Sequence, residues 1–254
     1  MKRVLTALLL IPLVAWLVLA ANQWIFLGVL TAVACLCYRE YNDIAAAYGF
    51  GAPGVVGYGA GILLLVWWGT PWAALVGIAI LVLAMVMREK DLGNALPRAA
   101  LLITGVLYVF GCWKFARPLR EFSHHWLMYG LLLNWVGDIG AYYIGRPFGK
   151  HKLAPRVSPK KSWEGSIASV VASVIVGTLY LSWFVPSVPL WHAMVLTAVA
   201  NAAGQMGDLA ESAMKRGAKV KDSGGLLPGH GGFLDRVDST LFALPVIYAY
   251  LMLA

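Results

Sequence analysis

Charge is what this sequence has least of for its length. Only 13% of its 254 residues are Asp, Glu, Lys or Arg, against about 25% in an ordinary soluble domain. Combined with a mean hydropathy of +0.73, that shortage excludes a water-soluble globular protein and points to an integral membrane one. Cysteine is scarcer still: Cys35, Cys37 and Cys112 all lie in apolar runs. Their odd number excludes a closed disulfide framework, and their spacing excludes a thiolate metal site. No internal repeat is apparent, which weighs against a transporter built from duplicated halves around a midplane site. The few charges are unbalanced, at +8 net, but Lys and Arg retained on the cytoplasmic side of a membrane account for such an excess. No nucleic acid is therefore expected as a partner.

What the chain does have is a series of apolar runs, at 4–21, 24–38, 55–68, 72–87, 99–116, 126–145, 166–185, 190–208 and 239–254. A helix needs roughly 20 such residues to cross a bilayer. The expected fold is all-α, a polytopic integral membrane protein of about nine transmembrane helices, or eight if a short run such as 24–38 or the last one only dips into the bilayer. Lys2 and Arg3 ahead of the first run also fit a signal peptide, but the runs that follow favour an uncleaved first span. With the amino terminus inside, segments 39–53, 88–98, 146–165 and 209–238 share the cytoplasmic side and hold most of the Lys and Arg. Only Lys114, Arg117 and Arg120 fall on the wrong side. Glu40 and Asp43 accompany Arg39 in one short loop and read as solvated; His124, His125 and His192 lie near span ends, where an imidazole meets water.

The charge that is present crowds into one place. Asp208, Glu211, Lys215, Arg216, Lys219, Lys221, Asp222, His230, Asp235, Arg236 and Asp238 stand between two hydrophobic runs. On a helix, Asp208, Glu211, Ser212 and Lys215 share a face, and so do Asp235 and Asp238 if a helix begins near them. Hard divalent cations take oxygen ligands of this kind and hold substrate phosphates as well. The glycine-rich stretch 224–232 between the two acidic clusters can bring backbone N–H groups close to anionic oxygens. These parts suit a polyphosphate at a membrane.

Two other stretches stand out. The loop from Arg146 carries Lys150, Lys152, Arg156, Lys160 and Lys161, plainly read as a basic patch facing anionic head groups. Asp138 lies inside the run 126–145, with Tyr142 one turn away. An ionisable residue there costs roughly 2.5–3.5 kcal/mol on insertion scales, so a functional or paired role is the default reading.

The run from Ser212-Ala-Met-Lys-Arg through Lys221-Asp222-Ser-Gly-Gly-Leu-Leu-Pro-Gly-His-Gly-Gly-Phe-Leu-Asp-Arg-Val-Asp238 resembles the signature of the phosphatidate cytidylyltransferases, or CDP-diacylglycerol synthases. Ser158-Pro-Lys-Lys-Ser-Trp-Glu-Gly165 is similar to the second motif of that family, with Ser162 where Thr is usual, and the Asp-xx-Ala-Tyr pattern of Asp138 and Tyr142 fits it too. The resemblance has specific motifs only in the carboxyl-terminal half. The length of 254 residues leaves little room beside the spans for a separate soluble domain, so one membrane-embedded domain over 1–254 is expected, with 1–125 mainly helical scaffold and 126–254 the catalytic half.

The implied reaction is CTP plus phosphatidate giving CDP-diacylglycerol and pyrophosphate, at an active site facing the cytoplasm from a bacterial inner membrane. Phosphatidate would come from the inner leaflet, and a homodimer surrounded by membrane lipid is expected. The resemblance further implies Mg²⁺, as one or two metal ions on Asp208, Asp235 and Asp238. Lys215, Lys221 and Asp222 join those three as catalytic candidates. Ser158, Lys160, Lys161, Ser162, Ser212, Arg216, His230, Arg236, Asp138 and Tyr142 are the substrate-binding candidates. Two alternatives stay open, another membrane CTP-dependent lipid enzyme of polyprenol kinase type and, further off, a transporter. The Asp-Gly-xx-Ala-Arg opening of the CDP-alcohol transferases is absent from the sequence.

Overall fold

The computed structural model describes residues 2–50, 54–69, 71–89, 91–225 and 231–253, and of 2–9 and 71 the backbone alone. Among them the chain is almost wholly helical: α1 (Lys2–Leu19), α2 (Gln23–Ala47), α3 (Gly54–Val66), α4 (Pro71–Val86), α5 (Ala95–Gly105), α6 (Ala116–Phe122), α7 (His124–Phe148), α8 (Trp163–Phe184), α9 (Leu190–Gly217) and α10 (Leu234–Leu253). Each apolar run of the sequence falls on a helix. Gln23–Ala47, Leu92–Phe122, Trp163–Phe184 and Leu234–Leu253 are long and apolar enough to cross a membrane by length and composition. The run at 24–38 and the last one, which looked short, thus lie on helices of 25 and 20 residues.

The chain folds into two compact units. The first comprises residues 1–22, 115–213 and 237–254. Its centre is the pairing of α7 with α8, made possible by small residues: a Cβ on Gly140 would lie 2.8 Å from the Cβ of Ala172, and one on Gly145 3.1 Å from the Cα of Gly165. Close backbone approach of this kind is how helices associate where lipid removes the hydrophobic drive between them. The faces of α8 are correspondingly inverted relative to a soluble helix. Gly165, Ser169, Ser173 and Gly177 are buried, while Ile167, Val171, Ile175, Leu179 and Trp183 are exposed. A polar ladder crosses the interior, with Ser173 donating to the Leu133 carbonyl at 2.6 Å, Asn201 to Ser173 at 3.0 Å, and Gln205 to the Asn201 side-chain carbonyl at 2.8 Å.

Between α7 and α8 the basic loop contains a hairpin that an all-helical reading did not foresee. Strands β1 (Lys152–Ala154) and β2 (Ser158–Ser162) pair antiparallel. The turn is written locally: Pro155 and Arg156 are its central residues, and the Val157 amide donates to the Ala154 carbonyl at 3.1 Å, proline presetting φ at the first of them.

The second unit comprises residues 23–114 and 214–236. Its interior is aromatic, with Tyr38 packed against Tyr41, Tyr58 and Phe110. A π-helical segment, Val106–Gly111, continues α5. Helix α2 runs on through Arg39, Glu40 and Asp43, where sequence suggested a solvated loop, and ends where Gly49 takes φ 87°, a conformation that glycine adopts without a Cβ penalty. Glu40 is accordingly not solvated: it is 1% exposed.

The three cations on the wrong side of the charge pattern have local roles. Within the second unit Lys114 donates to the carbonyls of Leu64 and Trp67, at 2.9 and 2.8 Å. Within the first, Arg120 donates to the Val18 carbonyl at 2.7 Å and to that of Ala21, and Arg117 pairs with Glu121 at 2.8 Å. Lys114 and Arg120 satisfy the open carbonyl ends of α3 and α1, where positive charge is favoured.

Candidate functional site

In the first unit, α7 contributes Asn134, Asp138, Ala141 and Gly145 to a cavity of about 80 Å³. Their spacing of four, three and four is one stripe of a helix. Helix α9 brings Asn201, Gln205 and Asp208 on a similar stripe, α8 adds Ser166 and Ser169, β2 adds Lys160, Lys161 and Ser162, and α10 adds Ser239.

The wall of the cavity carries Asp138 and Asp208 against Lys160 and Lys161, and two further acids lie close to Asp208. Asp238 is 7% exposed, and Asp208, Glu211 and Asp138 lie near enough to act on it electrostatically. Glu211 is itself fully buried. Lys160 and Lys161 face the same cavity, and the Lys161 ammonium is 2.6 Å from Asp208. Two like charges about 4 Å apart repel by about 4 kcal/mol at an effective dielectric of 20, so four acids gathered here favour a cation. Among the described residues no three His, Cys, Asp or Glu side chains converge as a ready-made metal site. That is compatible with Mg²⁺, which keeps several waters and is usually held by one or two carboxylates plus substrate phosphates.

Other candidates of this unit are placed as follows. Ser212 donates to Asp208 at 3.3 Å. Ser162, 4% exposed, accepts from the Gly165 amide at 3.2 Å and so caps α8. Ser158 opens β2. Tyr142 does not line the cavity: it is 55% exposed and accepts a hydrogen bond from Arg146 at 2.6 Å. The stripe through Asp138 continues to Ala141 and Gly145, which turns position 142 aside.

The second unit holds a different cluster. Lys215 is 7% exposed and pairs with Asp235. The other oxygen of Asp235 accepts from the amides of Ser223 and Gly232, at 3.0 and 2.8 Å. This carboxylate, expected among the metal ligands, is thus engaged by an ammonium and two loop amides. Arg216, exposed, donates to the Val220 carbonyl at 2.9 Å. Lys221, Asp222 and Arg236 are exposed, and His230 lies outside the described residues.

Sequence reasoning passed over Asn134, Asn201, Gln205 and Glu40. The first three are uncharged, and hydropathy averages them away inside apolar runs, although the spacing of 201, 205 and 208 could have shown one polar face. Glu40 was read with its charged neighbours as loop. Its carboxylate instead accepts hydrogen bonds from the Ser223 hydroxyl and the Phe233 and Leu234 amides, at 2.8, 2.9 and 2.8 Å.

Comparison with known proteins gives a consistent picture. Residues 1–254 match the family described as the Cytidylyltransferase family. A protein of Staphylococcus aureus strain COL named phosphatidate cytidylyltransferase is 33% identical over 253 residues, covering 96% of each chain. Proteins of the same name from Staphylococcus saprophyticus subsp. saprophyticus and Bacillus subtilis strain 168 are 36% identical over 174 residues and 38% over 150. Those two alignments cover 68% and 58% of this chain, and 66% and 56% of the relatives.

Proposed function

This chain belongs to the cytidylyltransferase family, and we propose that it is a phosphatidate cytidylyltransferase, joining CTP to phosphatidate with release of pyrophosphate. The observation that carries this reading is the match of the whole chain to that family, with relatives of that name at 33–38% identity.

A phosphate oxygen of phosphatidate attacks the α-phosphorus of CTP, one P–O bond forms, and the bond to pyrophosphate breaks. The nucleophile is an anionic phosphomonoester with a second pKa of about 6, so no strong general base is required. The task is to bring polyanions together and to stabilise charge on the leaving group. Lys160 and Lys161 on the hairpin, and Lys215 with the exposed Arg216 and Lys221, are the cations for that work. Asp208 and Asp238 would hold Mg²⁺, whose chemistry is to neutralise and orient phosphate oxygens.

The proposed setting is a bacterial inner membrane crossed nine times, by α1 to α5 and α7 to α10, with the hairpin facing the cytoplasm. Helices α3 and α4, of 13 and 16 residues, are shorter than the bilayer core of about 30 Å at about 1.5 Å per residue. The exposed Trp67, Trp68 and Trp72 at their ends suit an interface where the bilayer thins to meet them. The decisive experiment supplies purified protein in detergent with CTP, phosphatidate and Mg²⁺ and measures CDP-lipid and pyrophosphate. Both products from the wild type are expected. Absence of both while CTP still binds would transfer the reading to another lipid acceptor.

A further inference from the structure

We propose that Glu40 is a positioning residue for the proposed reaction, a carboxylate from α2 that clamps the two ends of the glycine-rich stretch and thereby places Lys215 and Asp235. The inference rests on the cytidylyltransferase reading for its catalytic consequence, but its structural half stands by itself.

All of the groups concerned lie in the second unit. One Glu40 oxygen accepts from the Phe233 amide; the other accepts from the Leu234 amide and the Ser223 hydroxyl. The Leu234 amide opens α10 and the Phe233 amide just precedes it, at a helix start whose unsatisfied N–H groups favour a carboxylate. Ser223 lies on the far side of the glycine-rich stretch, so a single buried side chain ties both of its ends. The clamp passes directly to Asp235. The Ser223 amide donates to one Asp235 oxygen at 3.0 Å, while the Asp235 amide donates to the Ser223 hydroxyl at 3.4 Å. That same Asp235 oxygen accepts from Gly232, and the other holds Lys215.

The glycines report the same constraint. A Cβ on Gly224 would lie 2.6 Å from a Glu40 oxygen, and one on Gly232 2.7 Å from the Glu40 carboxyl carbon. Glycine at these two positions is what allows the backbone to close on the carboxylate. Nothing in the arrangement requires Glu40 to touch a substrate. Its effect on the reaction runs through the geometry of Asp235 and Lys215, and misplacement of such groups by about 1 Å can cost about a hundredfold in rate.

The test compares wild type, Glu40→Gln and Ser223→Ala. Glu40→Gln keeps the side chain's size but replaces an acceptor oxygen with an NH₂ that faces donors. Amide hydrogen exchange is measured over residues 223–236, alongside kcat and KM for CTP and phosphatidate. The expected result for Glu40→Gln is loss of protection confined to that segment, with a fall in kcat of about tenfold or more and a change in KM for CTP of less than about threefold. If Glu40→Gln fails to fold, Ser223→Ala, which removes one hydroxyl, gives the same local exchange change with a smaller fall in kcat. Wild-type protection and wild-type kcat in the folded variants would overturn the proposal. Should the wild type itself form no CDP-lipid, the proposed function fails, whereas exchange over 223–236 still decides whether the clamp exists.

Discussion

Burying Asp238 near three other acids opposes folding, and Lys161 on Asp208 relieves part of the repulsion. A site that stores repulsion in this way trades stability for the capacity to hold a cation. Asp238→Asn is therefore expected to raise the thermal unfolding midpoint while lowering activity by at least about a hundredfold, a scale typical of losing a transition-state interaction worth about 2.7 kcal/mol. Mg²⁺ provides the complementary measurement: it should raise the midpoint of the wild type and leave that of Asp238→Asn nearly unchanged. Equal shifts in both proteins would remove Asp238 from the metal site. Ser162 makes a different kind of contribution. Its hydroxyl satisfies the Gly165 amide at the start of α8, so Ser162→Ala should lower stability by about 1 kcal/mol, read as a small decrease in the unfolding midpoint. No change in midpoint would mean that the cap is energetically idle.

At the scale of the element, α7 and α8 depend on the absence of side chains as much as on their presence. A Cβ on Gly140 would meet the Ala168 carbonyl at 2.9 Å as well as Ala172, and backbone cannot swing away as a flexible side chain does. Gly140→Leu should separate the pair and lower the unfolding midpoint in detergent by several degrees, whereas Leu179→Ala, on the exposed face of α8, should change it little. Similar effects for the two variants would contradict the packing described here. Much of this architecture was legible beforehand. The apolar runs marked the helices, and Asp235 and Asp238, three residues apart, were set on one face only if a helix began near them; α10 begins at Leu234. The less legible features were those in which a polar group is satisfied by a distant partner. Nothing local to Arg39-Glu40-Tyr41 says that its carboxylate will meet amides nearly two hundred residues later, and no hydropathy window distinguishes an Asn in a buried ladder from one at a span end. The hairpin at 152–162 was visible only as a basic loop, because its strands are three and five residues long.

For the whole molecule, the charge asymmetry suggested a cytoplasmic site, and Lys114 and Arg120, its exceptions, satisfy helix-end carbonyls within their own units. Local hydrogen bonding gives these two cations a role of their own, so the sidedness expected from the charge pattern rests on the other loops, the hairpin cations among them. Helix α8 offers a direct test, since its 22 residues at about 1.5 Å each span about 33 Å, enough to separate exposed Arg156 before it from exposed Ser187 after it by one bilayer. In a variant with Cys35, Cys37 and Cys112 replaced by serine, Arg156→Cys and Ser187→Cys each introduce a single exposed thiol. A membrane-impermeant maleimide applied to intact spheroplasts should label Ser187→Cys and spare Arg156→Cys, and inverted vesicles should give the opposite pattern. Labelling of both from one side would mean that α8 does not cross. The reversed pattern would place the hairpin lysines and Asp208 away from cytoplasmic CTP, and the proposed reaction could not proceed at this site.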